Sequence, residues 1–416
     1  VGHRSARGSG RRSLVLLAIA VVIVVVSGVL AWNPFNGSPV GRSASPFAQP
    51  SPTPLSPSAS ATGVSPTTGE NPRVRVGFSL GELVEGSAAE RTELLDAAKV
   101  AGANTIRIDI SWATVQPSGP RRWTWGPVDD AVRSVHDAGL RLLPVIGYTP
   151  EWARDPGCAR TSCPPADPQA FARFAAAAAA RYAPADVVAW EVWNEPNAAF
   201  WTPSPDPVRY AKLLQVTAAA VRAAAPGTPV LLGGLAPTTS GPSGHLSPAD
   251  FLRVVYQQGA QGSFDGVGVH PYCFPALPGE NEPWAGWQQM LDVRALLEAQ
   301  GDAGKGVWIT EFGAPTSGAG ALATLSDRNY DRKADHVSPD LQAATVTAAF
   351  QQLTGMPWVR SLLWYSVVDL PPQPDDATAA PSQAPANASG YGLVRGDGSP
   401  KPAFDAWRDG AAPFLR

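Results

Sequence analysis

Val187-Val188-Ala189-Trp190-Glu191-Val192-Trp193-Asn194-Glu195-Pro196-Asn197 is a β-branched and aromatic run that ends abruptly in polar turn residues. Its length and composition read as a buried strand, and Asn-Glu-Pro-Asn as the break after it. The same form recurs at Val307-Trp308-Ile309-Thr310-Glu311-Phe312-Gly313. Working outward, six more short apolar runs qualify as strands: Val74–Leu80, Thr105–Ile110, Leu140–Ile146, Val230–Leu235, Gly266–His270 and Leu362–Val367. Between these runs lie Ala-rich stretches of helical period. Four of them open on a capping residue followed by Pro, at Asp167-Pro168, Asp206-Pro207, Ser247-Pro248 and Ser338-Pro339. Pro suits the first helical position because the donor it lacks has no partner there. Ser87 and Glu90 have the spacing of a capping box, and Gly102 and Gly139 stand where helices should stop.

Eight strand-then-helix alternations from residue 73 onward predict an α/β fold of the (β/α)8 TIM-barrel type. A doubly wound sheet is the competing topology, but no Gly-rich phosphate fingerprint follows an early strand. In a barrel of parallel strands the chemistry sits at the strands' C-terminal ends. Two glutamates terminate apolar strands there, Glu195 after the fourth and Glu311 on the seventh. An ionised carboxylate at such a place is costly unless it is paired. A lone Glu is best read as a barrel ion pair. Two on strands that lie across the barrel mouth form the pair that glycoside hydrolysis requires, one acid for the leaving oxygen and one base or nucleophile opposite.

The remainder of the chain bounds this reading. The 416 residues carry a formal charge of −3, with apolar residues at 44% and charged ones at 16%, which excludes global disorder. The 40 Gly and 43 Pro are well above usual usage and call for a linker and many loops. Arg4, Arg7, Arg11 and Arg12 precede an uncharged apolar run from Leu14 to Trp32. Residues 1–32 therefore read as a membrane anchor (residues 14–32) or a signal peptide cleaved near Ala31. Residues 33–72 hold 9 Pro, 8 Ser and 4 Thr, the composition of a disordered stalk. The folded body, 73–416, is thus expected outside the membrane, tethered or secreted. It holds the net negative charge, so nothing in it argues for a nucleic-acid partner. Export permits a disulfide, and Cys158 and Cys163, which bracket a short loop, are expected to pair; Cys273 reads as a buried apolar residue.

Trp193-Asn194-Glu195-Pro196-Asn197, with Glu311 on the seventh strand, resembles the clan A retaining glycoside hydrolases. The resemblance is to family 39 first and the family 5 cellulase-like enzymes next, with Tyr391-Gly392-Leu393 and Asp397-Gly398-Ser399-Pro400-Lys401-Pro402 as its late markers. It implies a retaining glycosidase with Glu195 as acid/base and Glu311 as nucleophile, acting on a poly- or oligosaccharide without a cofactor or metal. Asn194 matches the residue that binds the sugar 2-hydroxyl. Arg107 matches an Arg that orients the nucleophile, although an ion pair with Asp109 or Glu191 accounts for it equally well. His270 and Tyr272 match a His-x-Tyr element in which Tyr272 bonds Glu311 and His270 meets sugar or Glu195. A single His without neighbouring ligand spacing is poor evidence for a metal. Trp364 matches an aromatic platform under the sugar ring.

Trp112, Trp152, Trp193 and Trp201 also fall at strand ends, where indoles suit stacking on sugar C–H faces, whereas Trp123, Trp125, Trp308 and Trp407 read as structural. Loops 315–338 and 371–389 are expected to shape a groove. A carbohydrate-binding or scaffold protein on a catalytically silent barrel, and a transglycosidase, are the rival functions. Sugar, linkage and endo or exo action are open at this level: xylan, glucan, mannan and exopolysaccharide all fit.

Overall fold

The computed structural model describes residues 74–242, 244–330, 334–370 and 388–415. The leader, the stalk and most of the 371–389 loop lie outside the described residues. Among those described, no helix is long and apolar enough to cross a membrane.

Eight parallel strands close into a barrel: β1 (Arg75–Ser79), β2 (Thr105–Ser111), β3 (Arg141–Gly147), β4 (Trp190–Asn194), β5 (Val230–Leu235), β6 (Gly266–Val269), β7 (Gly306–Phe312) and β8 (Val359–Trp364). Each pairs with its chain neighbours, and β1 pairs with β8 to close the ring. The helices around it are α1 (Ala88–Val100), α2 (Trp112–Val115), α3 (Gly126–Asp137), α4 (Pro168–Tyr182), α5 (Pro207–Ala224), α6 (Pro248–Gln257), α7 (Gly286–Ala299), α8 (Pro339–Leu353) and α9 (Pro402–Ala411). The start signals act as expected. Asp167, Asp206, Ser247 and Ser338 each cap a helix whose first residue is Pro, and Ser87 with Glu90 forms a reciprocal capping box. Gly102 and Gly139 follow α1 and α3 at φ of 87° and 74°, values that favour glycine.

Strand eight begins three residues earlier than its apolar pattern implies, at Val359 rather than Leu362, and ends at Trp364. Strand four begins later, at Trp190, with Val187 touching β3 only through an isolated bridge. Loop 315–338 contains a two-stranded parallel pair, Leu322–Ala323 with His336–Val337.

Two apolar layers result. Inside the barrel, Leu143, Ala189, Leu231, Trp308 and Leu363 form their own cluster. Outside it, strand residues of the opposite parity pack against the helices in one continuous core. Trp407 of α9 anchors the outer layer, its ring 5.1 Å from Phe78 of β1, 6.2 Å from Trp364 of β8 and 5.1 Å from Phe350 of α8. It therefore fastens the seam where the first and last strands meet. Trp407→Ala is expected to cost about 3–5 kcal/mol, read as a lower urea midpoint; an unchanged midpoint would show that the seam holds without it.

Candidate active site

The inward positions just beyond the apolar plug are polar. Arg107 of β2, 2% exposed, donates from Nε to Glu191 Oε2 at 2.7 Å and from one terminal nitrogen to Glu311 Oε1 at 2.6 Å and Ser79 Oγ at 3.0 Å. Its other terminal nitrogen donates to Asn194 Oδ1 at 2.7 Å. One guanidinium thus joins β1, β2, β4 and β7. The two readings of Arg107 are not exclusive, since it pairs with Glu191 inside the barrel and with Glu311 at its mouth. Asp109 is not its hydrogen-bond partner and instead accepts from Tyr148 Oη at 3.2 Å. Glu191 is fully buried and is completed by Thr310 Oγ1 at 2.8 Å. Gly268 makes room for it, because a Cβ there would stand 2.4 Å from Glu191 Oε1.

Local backbone irregularities aim the two candidate glutamates. Thr310 bonds Glu191 inside the barrel, and its neighbour Glu311 also faces inward, which strict alternation forbids. The pairing of β7 with β8 slips between Ile309 and Phe312, a bulge that turns Glu311 to the cleft. At the end of β4, Trp193 and Glu195 adopt φ of 72° and 45°, a left-handed backbone costing side-chain-bearing residues on the order of 1–3 kcal/mol each. The Glu195 amide donates to Gly234 O at 2.9 Å and holds that turn.

Both carboxylates meet His270. Its Nδ1 lies 2.9 Å from Glu195 Oε1 and 3.6 Å from Glu311 Oε2. The imidazole is fully buried and therefore contacts Glu195 rather than solvent or sugar, in a slot that a Cβ on Gly234 would close, at 2.0 Å from Nε2. Tyr272 Oη donates to Glu311 Oε2 at 3.0 Å. One ligand atom each from Glu195, His270 and Glu311 lie within 4.8 Å of one another, so the two glutamates approach closely enough to flank one bond. The trio has the spacing of a metal site, and Arg107 and His270 already supply positive charge to its carboxylates.

Burial alone would raise the Glu311 pKa. The charges of His270 and Arg107 and the hydrogen bonds from Tyr272 and Arg107 outweigh it and hold this carboxyl below the ordinary glutamate range. Burial likewise works against a charged His270, but the carboxylates of Glu311 and Glu195 prevail and its pKa is raised.

The cleft above these groups is a cavity of about 920 Å³. Asn194, Glu195, Arg107, Tyr272 and Glu311 line it, and Asn194, with its oxygen committed to Arg107, offers a ligand its amide NH2. The expected tryptophan platform is not there. Trp364 is fully buried on the outer face of β8, its Nε1 bonded to Tyr391 O at 2.8 Å and its ring against Phe312 and Trp407. The next residue, Tyr365, faces the cleft instead, since a shift of one position along a strand reverses the side-chain face.

Trp152 sits 36% exposed, edge-on to Trp112 and bonded through Nε1 to Gln116 O, outside the cavity lining. Trp112, Trp193 and Trp201 are core residues. Trp308 and Trp407 are buried as expected, whereas Trp123 is 42% exposed and stacks on Trp125. Among the described residues the aromatic lining is instead Tyr148, Phe200, Tyr272, Phe274, Tyr365 and Tyr391.

Several cleft residues had no clear sequence signal. Glu82 and Asp109 line the wall beside Glu311. Lys401, inside a motif quoted above, is 3% exposed and donates to Asp369 Oδ1, Thr316 Oγ1 and Gly390 O at 2.7, 2.8 and 3.0 Å, fixing the segment that carries Tyr391. Cys158 and Cys163 are paired, with Cα atoms 6.2 Å apart, and Cys273 is free and buried.

An eight-stranded barrel with a close carboxylate pair at the ends of its fourth and seventh strands is the frame of a retaining clan A glycoside hydrolase. The sequence model of the cellulases, glycosyl hydrolase family 5, matches residues 75–337, and the chain belongs to that family. No curated protein sequence gives a significant match. Among solved structures, a family 39 glycoside hydrolase from the gut symbiont Bacteroides cellulosilyticus WH2 superposes with a TM-score of 0.59 at 21% identity. The match covers 82% of this chain and 64% of that one, so the chain spans under two thirds of that protein's length. A GH5_18 protein from Streptomyces cattleya, in complex with GlcNAc, gives 0.58 at 18% identity over 82% of this chain and 80% of that one. A monomeric β-xylosidase from Caulobacter crescentus CB15 gives 0.56 at 20%, over 81% and 67%. At such identities the likeness is one of fold.

Because Arg107 neutralises two carboxylates at once, Arg107→Met is expected to destabilise the protein by about 3–5 kcal/mol at pH 7. Glu311 titrates below its ordinary value of 4.5, so its ionisation adds stability above that value, which is lost as pH falls through the lower folded value. Urea unfolding at pH 7 and pH 3 should therefore show a smaller pH difference in the variant than in the wild type. An equal difference would mean that Arg107 does not hold Glu311 ionised.

Proposed function

We propose that this glycoside hydrolase cleaves β-linked O-glycosidic bonds of an extracellular poly- or oligosaccharide by double displacement, with Glu311 as nucleophile and Glu195 as general acid and base. The observation that carries the reading is the pair itself. An oxygen of Glu195 and one of Glu311 lie within 4.8 Å, and Glu311 alone accepts from Arg107 and Tyr272. A nucleophile must be ionised at neutral pH, and those two donors favour that form.

In the first step Glu195, as the acid, gives its proton to the leaving glycosidic oxygen while Glu311 attacks the anomeric carbon. The C–O bond to the aglycone breaks and a glycosyl ester of Glu311 forms. In the second step Glu195, now a carboxylate, takes a proton from water, the water oxygen attacks the same carbon, and Glu311 is released. Two inversions give net retention. His270, held against Glu195 Oε1, orients the acid, and the Asn194 amide is placed to donate to the ring's 2-hydroxyl. The exported setting is supported by the charged-then-apolar leader and by the Cys158–Cys163 pair, since disulfides persist in oxidising compartments. The chain is then tethered by residues 14–32 or released by cleavage near Ala31.

Assay on a panel of aryl β-glycosides and defined polysaccharides tests the proposal. Glu311→Ala is expected to abolish turnover, and full activity in it would remove the nucleophile assignment. Glu195→Ala should lose about 10²–10⁴-fold in rate on substrates with poor leaving groups. Azide should restore turnover in that variant and give a β-glycosyl azide. An inverted azide product, read by proton NMR, contradicts double displacement. Elongated sugars as the main product at high substrate would favour the transglycosidase.

A further inference from the structure

The charge of the cleft is lopsided. Glu82 stands in the short turn Gly81–Val84 after β1, and Asp109 is an inward residue of β2; both line the cavity with Glu195 and Glu311. Arg107 is the one Arg or Lys among the described lining residues, and each of its nitrogens already donates to a protein oxygen. Asp109 accepts from Tyr148 through one oxygen. Glu82 Oε1 is shut off from solvent and has no hydrogen-bond partner. A buried carboxyl oxygen without a donor leaves the charge of Glu82 uncompensated, and that charge stands in the wall beside Glu311, where a sugar on the nucleophile would lie.

Resting on the glycosidase reading of the same cleft, we infer that Glu82 and Asp109 are specificity-determining residues that select an uncharged, hydroxyl-bearing sugar ring and reject a uronate. A sugar hydroxyl donates to carboxyl oxygens that face the cavity. A ring carboxylate brings no proton and places a further negative charge among five lining carboxyls, Glu85 included, whose one lining cation, Arg107, is already engaged. Such like-charge contact is how a binding surface excludes a wrong partner of the right shape.

The pKa values agree with this layout. Burial, then the nearby Asp109 and Glu311 charges, push Glu82 up to about 7 against the bond from its own backbone amide. Burial pushes Asp109 up to about 6 despite Arg107 and the Tyr148 hydroxyl, with Glu311 and Glu191 adding to the rise. Tyr365, on the same cavity wall beyond β8, has its own pKa raised by burial and then by the Glu82 charge. Both carboxyls are therefore charged at pH 8 and largely neutral at pH 5, while a uronate remains ionised throughout.

The test compares 4-nitrophenyl β-glycosides of glucose, mannose and galactose with the matching glucuronide, mannuronide and galacturonide. Wild type is expected to prefer the neutral member of a pair by at least about 100-fold in kcat/KM at pH 8, and by less at pH 5. Glu82→Gln with Asp109→Asn, which keeps shape and removes charge, should narrow the ratio at least about tenfold. Both rates come from one preparation, so any loss of folded protein cancels in the ratio. Equal rates on the two members in wild type, or a ratio unchanged in the double variant, overturns the inference.

Turnover of none of the glycosides counts against the proposed function instead. Tryptophan-fluorescence titration with neutral and uronate oligosaccharides then reads the charge preference alone. Uronate binding as tight as neutral binding, or binding of neither, overturns the inference there.

Discussion

The site depends on one buried cation. Arg107 is enclosed in the barrel and shared between Glu191, Glu311, Ser79 and Asn194. Removing charges from water costs several kcal/mol per ion unless geometry and hydrogen bonds restore it. Here every nitrogen is used, and Glu191, the deepest carboxylate, is completed by Thr310. The arrangement also ranks the glutamates. Glu191 is neutralised below the cleft, Glu311 is held ionised at its floor, and Glu195 is left to His270. A pair that flanks one bond needs different tasks for its two members, and the position of a single guanidinium relative to each begins that division.

Much of the fold was readable because its signals are local. Pro after a capping residue, Gly after a helix and a run of β-branched residues each act within a few positions, and the barrel repeats the strand-then-helix unit eight times. The two glutamates were readable because a charge that ends an apolar strand is conspicuous. Strand eight shows where this kind of reading runs out. Leu362 to Val368 is apolar but for Ser366, so nothing in it marks which residues face inward. The true register puts Ser361, Leu363 and Tyr365 inside and Trp364 outside, against Trp407. The apolar pattern therefore favours Trp364 for the cleft, whereas tyrosines line it. Glu82 and Asp109 were obscure for the opposite reason: an acidic residue in a turn or beside an Arg is ordinary until a cavity is seen to enclose it.

The backbone supplies what side-chain pattern cannot. A regular strand presents every second residue to the barrel interior, which would give either the partner of Glu191 or Glu311 from β7, but not both. The slip between Ile309 and Phe312 delivers Thr310 and Glu311 together. On β4 the left-handed Trp193 and Glu195 bring Asn194 and Glu195 to the cleft while the Trp193 indole packs outward on Trp201. Both irregularities lie at the C-terminal rim, and each is countered from another strand. Arg107 grips Asn194 and Glu311, Gly234 accepts from the Glu195 amide, and Gly234 and Gly268 leave the volume that His270 and Glu191 occupy. The strain at the rim is thus sustained by the same ionic layer that sets the charge of the glutamates. Geometry and electrostatics are coupled at this site, and a change to Arg107 should disturb both at once.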